Sequence, residues 1–246
     1  MENTFKQTSE NIQQIIISPK QILRRLLWAI FFLFLGHIAA FIEDYIRHSQ
    51  SRMAKNIIRL FDFNLENNVP TWFSTLILFF AAILLLLIYL NKKSNNENGS
   101  FYWLILGLIF IFLSIDESVQ IHEEVATILR PSLGKDSPGF LYWSWVVPYT
   151  IFVIVVVVFF TRFVLGLPAK TRTLFFISGG MFVFGALGLE FIEGHFYKLY
   201  GLDHIYNRIL YCIEELLEMT GVTIFVYSLM DYMSANKIKI SVTATT

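Results

Sequence analysis

Long runs of apolar residues recur along the chain, and they limit the fold more than any other feature. A helix of about 20 apolar residues crosses the roughly 30 Å hydrocarbon core of a bilayer. With 55% hydrophobic and only 15% charged residues, the sequence predicts an all-α, polytopic membrane bundle of six transmembrane helices. The six predicted spans lie near residues 23 to 46, 71 to 90, 101 to 122, 141 to 165, 173 to 195 and 209 to 233.

The distribution of Lys and Arg predicts the orientation of these spans. Positive residues near span ends are retained on the cytoplasmic side, and their modest excess on one side favours an N-in/C-in topology. The expected parts are then a cytoplasmic N-terminal segment (residues 1–22), a six-helix transmembrane domain (23–233) and a cytoplasmic C-terminal tail (234–246). Within the domain, helical spacing over residues 52 to about 62 predicts an amphipathic helix lying in the membrane interface. We expect a multi-pass protein of a cell membrane, such as a bacterial inner or plasma membrane.

The net charge, the cysteine content and the glycines of one span limit the partners and metal sites that we expect for this chain. The formal net charge is zero and no basic face stands out, so we expect no nucleic acid as partner. The single cysteine, Cys212, excludes an intrachain disulfide and a thiolate metal cluster. The fifth span carries Gly179, Gly180, Gly185 and Gly188, and small residues of this kind let helices approach closely. They predict that this span is the central helix, or that it packs against a second copy in a homo-oligomer.

The acidic residues of the spans fall toward the outer leaflet, whichever way each helix runs. A rise of 1.5 Å per residue from Arg25 puts His37 roughly 18 Å into the membrane. The same count from Phe101 puts Asp116 and Glu117 roughly 22 to 24 Å along the third span. The residues concerned in the later spans are Glu190, Glu193, Glu214 and Glu218. The inner halves of the spans are nearly free of polar residues, so the sequence predicts an outward-facing, intramembrane Asp/Glu/His pocket.

The direction in which each side chain leaves its helix indicates which of these acidic residues share the pocket. Glu214 and Glu218 fall on one stripe of the sixth span, and a polar stripe in lipid faces the interior of a bundle. On the third span, treated as one helix, Asp116 and Glu117 belong to the pocket. We expect Glu123 and Glu124 to lie beyond it, in solvent.

Several carboxylates in a low-dielectric environment need protons, basic partners or a metal ion to neutralise them. Carboxylates and imidazoles on facing helices bind two-iron and two-manganese centres in other bundles. The candidate metal ligands are His37, His122, Glu190, Glu193, Glu214 and Glu218. Zinc, iron or manganese would fit such a set, and calcium would fit a carboxylate-only subset. The Glu-x-x-His pairs typical of di-iron proteins do not occur in this sequence.

A short element at the end of the third span resembles part of a known family. Ser118-x-x-x-His122 is similar to the Ser-x-x-x-His element of the alkaline ceramidase and adiponectin-receptor class of membrane hydrolases. The resemblance covers five residues. That class has seven spans and a His-x-x-x-His pair in the last, where this chain has six predicted spans and Glu214, Glu215 and Glu218. The zinc site of the class is therefore not transferred to this chain.

These patterns favour a metal-dependent membrane enzyme that acts on a membrane lipid or lipid-linked substrate. Asp116 or Glu117 is the expected general base. Three alternatives use the same residues. One is a proton- or cation-linked transporter, another is a sensor, and the third is a structural membrane protein with a protonated or salt-bridged acidic cluster.

Overall fold

The structure is a computed structural model that describes residues 18–133, 139–201 and 203–238. Most of the predicted N-terminal segment and residues 239–246 of the predicted tail lie outside this range. All regular structure in the described residues is helical. The helices are α1 (Pro19–Phe41), α2 (Arg52–Phe61), α3 (Val69–Ser94), α4 (Ser100–Val119), α5 (Ile121–Leu133), α6 (Val146–Leu165), α7 (Ala169–Val183), α8 (Glu190–Tyr200) and α9 (Ile205–Ala235).

Short non-α turns extend two of these helices. A π-helical turn, Ile42–Ile46, continues α1, and a second one, Phe184–Leu189, joins α7 to α8. A 3₁₀ turn, Gly139–Leu141, precedes α6. Since a π turn contains more residues than an α turn, the second one changes the direction in which the side chains of α8 point.

Five helical segments are long and apolar enough to cross a membrane, so the protein is a helical membrane protein. They are Pro19–Ile46, Val69–Ser94, Ser100–Val119, Val146–Leu165 and Ala169–Tyr200. The sixth predicted span lies within α9. That helix is 31 residues long, about 46 Å at 1.5 Å per residue, but acidic residues interrupt its apolar sequence.

The central helix is α9, which packs against α1, α3, α7 and α8. This differs from the expectation that the glycine-rich fifth span would be central. A glycine of α9 allows the close contact between α7 and α9. A Cβ atom on Gly221 would lie 2.9 Å from the carbonyl oxygen of Ser178, whereas one on Gly179 or Gly180 would meet no atom within 4 Å. Only some of the glycines of the fifth span therefore serve helix packing.

The helix α6 is attached to the bundle mainly at its two ends. Near one end Phe163 stacks on Tyr102 of α4, with ring centroids 4.8 Å apart. Near the other end Tyr149 lies against Phe112 of α4, at 6.5 Å. Between these contacts the two helices leave a space that opens into the cavity described below.

The third predicted span ends earlier than residue 122. Gln120 adopts a left-handed conformation (φ 64°, ψ 42°), and its N–H donates to the carbonyl oxygen of Asp116 at 2.7 Å. The chain then starts a new helix, α5, whose first turn is held by the Asp116 carboxylate through the His122 N–H. The third predicted span, treated above as one helix, is therefore divided between α4 and α5.

Candidate functional site

One cavity of about 680 Å³ contains nearly all the predicted site residues. One end of the cavity, the acidic end, is lined by nine carboxylic acids and one histidine. These residues are Glu66, Asp116, Glu117, His122, Glu123, Glu190, Glu193, Glu214, Glu215 and Glu218. The other end, the apolar groove, is lined by hydrophobic residues of α4, α6 and α7 and by Phe225 of α9. The cavity therefore joins a hydrophilic site to a hydrophobic one without a wall between them.

His122 lies between two carboxylates at the acidic end. Its Nδ1 is 3.5 Å from Oδ1 of Asp116, and its Nε2 is 3.3 Å from Oε1 of Glu66. The same Asp116 oxygen accepts the backbone N–H of His122 at 2.9 Å and the hydroxyl of Tyr149 at 3.0 Å. Trp145 packs on the imidazole, with ring centroids 5.1 Å apart. The ring is thus held in one orientation from several sides.

Three side chains at this point lie close enough together to hold a metal ion. Glu66, His122 and Glu123 each offer a ligand atom, and these atoms lie within 4.8 Å of one another. Glu66 comes from the loop between α2 and α3, and the other two come from the first turn of α5. Two carboxylates and one imidazole form a three-ligand set of the type that leaves a further position on zinc open for water or substrate.

The charge of His122 reflects its carboxylate neighbours. Burial lowers the pKa of His122, but hydrogen bonds to Asp116 and Glu66 and their negative charges outweigh burial and raise it to about 11. Without a metal ion, His122 therefore favours its protonated form, with Nδ1 toward Asp116 and Nε2 toward Glu66. A metal ion bound at Nε2 would take the place of that proton.

A second group of carboxyls faces this set from α8 and α9. Glu193 of α8 and Glu214 of α9 lie close enough to interact electrostatically. Oε1 of Glu193 and Oε2 of Glu190 are buried and have no hydrogen-bond partner among the described residues. Glu190 also interacts electrostatically with His122 and Glu123 across the cavity. Buried oxygens without partners are unfavourable, and a proton or a cation would satisfy them.

His37 does not share this cavity. Its Nδ1 accepts the backbone N–H of Phe63 at 3.2 Å and lies 3.6 Å from Oδ1 of Asp62, whose pKa is raised by burial. Its ring stacks on that of Phe63 at 4.4 Å. The structure therefore brings together the other predicted site residues but leaves His37 in a contact that joins α1 to the loop after α2.

Basic side chains do not neutralise the acidic end. Among the described residues the lining of the cavity includes no Lys or Arg. Arg47 pairs with Glu43, and Arg130 lies over the rings of Tyr142 and Trp143. Arg208 pairs with Asp44 at 2.7 Å. These three arginines therefore do not form a salt-bridged cluster with the carboxylic acids of the cavity.

Sequence reasoning missed several residues of the site. Glu66 lies in a short polar loop, where a carboxylate is ordinarily solvated and no helical spacing links it to His122. Glu123 was expected in solvent because the third span was treated as one helix. Tyr149 carries no signal at all, since aromatic residues are common near the ends of membrane spans. The orientation of α5 after Gln120 is what brings Glu123 into the cavity.

Together the fold and the site define a helical membrane protein with an acidic cavity that continues into an apolar groove. The chain belongs to the family described as a domain of unknown function, DUF8692, which matches residues 26–232. No curated protein and no solved structure matches the chain.

Proposed function

We propose that this protein is a metal-dependent membrane enzyme that acts on a lipid or lipid-linked substrate. The observation that carries this proposal is the single cavity in which the Glu66, His122 and Glu123 set opens into an apolar groove. A water-soluble substrate would not need the groove, and a purely structural acidic cluster would not need the open space beside it.

The proposed arrangement in the membrane follows the sequence. The helix α9 is the sixth span, both ends of the described chain lie on the cytoplasmic side, and the acidic end of the cavity faces the opposite side of a cell membrane. With its 31 residues, α9 is long enough to cross a core of about 30 Å. Its carboxylates are acceptable at membrane depth because they face the cavity rather than lipid.

Most residues of the acidic end have a proposed task. Glu66, His122 and Glu123 hold a divalent ion, with zinc, iron and manganese as the candidates. Such an ion supplies Lewis acidity toward a carbonyl or phosphoryl oxygen and makes a water molecule more acidic. Asp116 is a positioning residue, since it holds the ring and backbone of His122 and orients Nε2 toward Glu66.

Glu117 is then the proposed general base. It lines the cavity and interacts electrostatically with Glu66, Glu215 and His122. In a hydrolysis, its carboxylate takes a proton from the attacking water and returns that proton to the leaving group. Glu190, Glu193, Glu214 and Glu218 face the same space and can bind a second cation.

A transport function has less support. A cation would need polar groups along its whole path, and carboxylates and imidazole line only one end of the cavity. The hydroxyls of Thr161 and Ser178 in the apolar groove donate to carbonyl oxygens of their own helices. They are therefore already satisfied and offer little to a passing ion.

Elemental analysis of the purified protein by mass spectrometry tests the proposal. We expect close to one divalent transition metal per chain, and its loss in Glu66→Gln and Glu123→Gln. Glu124→Gln is the control, because Glu124 neighbours Glu123 but does not line the cavity. Protein that contains no metal, and stays folded and monodisperse after treatment with EDTA, would contradict a metal-dependent enzyme and favour protonated carboxyls in a sensor or a structural core.

A further inference from the structure

The apolar groove is long enough to hold a lipid chain. Its lining on α6 extends from Tyr149 to Val164, about 22 Å at 1.5 Å per residue. A lipid chain occupies one half of a hydrocarbon core of about 30 Å, so it extends over roughly 15 Å. The whole cavity, at about 680 Å³, lies within the range of about 300–1,000 Å³ that single small molecules fill.

Small residues keep the groove free of protein atoms. Gly179 and Gly180 of α7 line it, and a Cβ atom on either would meet nothing within 4 Å. Val156 and Val157 line the same groove from α6. Larger side chains at these four positions would fill the space. The groove therefore depends on the small size of the four residues.

The groove is open toward the lipid. Val157 and Phe176 both line it, and they remain 57% and 55% exposed. Both residues belong to segments that are apolar enough to cross a membrane, so the surroundings of this opening are lipid chains and not water. An apolar space that is continuous with the bilayer core is filled by hydrocarbon.

The acidic end selects the head group of the same molecule. Nine carboxylic acids and one histidine line it, with no Lys or Arg among the described lining residues. These carboxylic acids carry negative charge or none, and no basic side chain of the described lining offsets it. An anionic head group placed there would be repelled, whereas a neutral or cationic head group would not.

From these observations we infer that the apolar groove holds one hydrocarbon chain of the substrate lipid, and that the head group of that lipid carries no net negative charge. This inference rests on the proposed function, because it names the class of substrate for the same site. It makes Val156, Gly179 and Gly180 determinants of chain binding, although they lie far along the groove from the carboxylates.

Native mass spectrometry of lipid binding tests the inference. The probes are 1-monooleoylglycerol, which is neutral, and oleyl phosphate, which has the same chain and an anionic head group. Both are added to detergent-solubilised protein in EDTA, so that binding does not depend on a metal. We expect one monooleoylglycerol per chain, and at least tenfold weaker binding of oleyl phosphate.

Two variants and a control test whether the hydrocarbon chain of the lipid lies in the apolar groove. Val156→Phe and Gly180→Leu fill the groove, and each should weaken monooleoylglycerol binding at least tenfold. Val155→Phe makes the same change one residue away, at a 60% exposed position that does not line the cavity, and should bind as the wild type does. Monodisperse elution of each variant shows that it is folded.

Three outcomes would overturn the inference. They are equal binding by Val156→Phe and Val155→Phe, unchanged binding by folded Gly180→Leu, and binding of oleyl phosphate as tight as that of monooleoylglycerol. Failure of the proposed function gives a different result. Metal-free protein that binds monooleoylglycerol in the groove would refute the metal enzyme alone, and metal-loaded protein that binds no monooleoylglycerol would refute the chain site alone.

Discussion

Asn68 holds the loop that carries Glu66 into the site. Its side-chain amide donates to the carbonyl oxygens of Asp62 and Leu65, both at 2.6 Å. Its side-chain oxygen accepts the N–H of Thr71 at 3.1 Å and so caps the first turn of α3. The side chain is only 7% exposed, so water does not replace these bonds when they are lost.

Replacing Asn68 by Ala should therefore destabilise the protein. The lost helix cap costs about 1 kcal/mol, and leaving buried carbonyl oxygens without donors costs about 1–3 kcal/mol. A loss of about 2 kcal/mol lowers the melting temperature of a chain of this size by roughly 4–8 °C. Asn98→Ala, at an exposed loop position at the other end of the bundle, is the control. Equal melting temperatures for the two variants, measured by thermal unfolding in detergent, would show that the cap and loop bonds contribute little.

Individual residues show which features of the site can be predicted from the sequence and which cannot. Glu214 and Glu218 were predicted to face a pocket because a polar stripe on an apolar helix has no other stable position. The depth of His37 in the membrane also predicted that it would face the pocket. Depth does not show, however, in which direction a side chain points from its helix. His37 faces Phe63 and Asp62 instead, because its ring stacks there and its Nδ1 accepts a backbone N–H.

At the scale of elements, the contact between α7 and α9 depends on glycine. A Cβ atom on Gly221 would lie 2.9 Å from the carbonyl oxygen of Ser178 and 3.0 Å from the backbone nitrogen of Phe182. Backbone atoms cannot move aside alone, so any side chain at this position forces the two helices apart. The same two helices carry Glu190 through the π turn and Glu214 directly, and their separation would widen the acidic end.

Gly221→Ala and Gly179→Ala should have opposite effects on stability. Alanine in a helix is favoured over glycine by about 0.5–1 kcal/mol, so Gly179→Ala, which meets no atom, should raise the melting temperature by a few degrees. Gly221→Ala should lower it, because the clash with α7 exceeds this gain. Thermal unfolding of both variants in one detergent measures the difference. Stabilisation by both changes would mean that the helices are not in close contact at Gly221.

The sequence predicts membrane helices better than it predicts their ends. Five of the expected spans coincide with long apolar helices, because the bilayer thickness imposes a length that composition reveals. The break at Gln120 was not predicted, since glutamine is not a residue that favours a left-handed turn. The π turn before Glu190 likewise has no pattern in the sequence, and it determines the direction of the α8 side chains.

At the scale of the whole molecule, polar and apolar surfaces are separated along one cavity. The carboxylates of α4, α8 and α9 meet the loop residue Glu66 at one end, and hydrocarbon side chains line the other. The general position of the acidic end was predicted from the sequence, because every acidic cluster fell toward the same side of the membrane. The groove was not predicted, because an empty space between α4, α6 and α7 depends on how the helices are arranged.

As the proposed sixth span, α9 carries acidic residues that bear on how this protein is inserted into the membrane. A charged residue at the centre of a membrane helix disfavours insertion by about 2.5–3.5 kcal/mol, and α9 carries Glu214, Glu215 and Glu218 in the same half. We expect residues 205–235 alone to insert poorly in a glycosylation-tag assay with microsomes, and a variant with leucine at these three positions to insert well. Insertion of the isolated wild-type segment as efficient as that of residues 69–94 would contradict this expectation.

The order of synthesis can compensate for the unfavourable insertion of α9. All five apolar spans precede it in the chain, so α1, α3 and α7 are in the membrane before α9 leaves the ribosome and can offer it a protein surface in place of lipid. We therefore expect a defect in any of these earlier helices to leave α9 at the membrane surface.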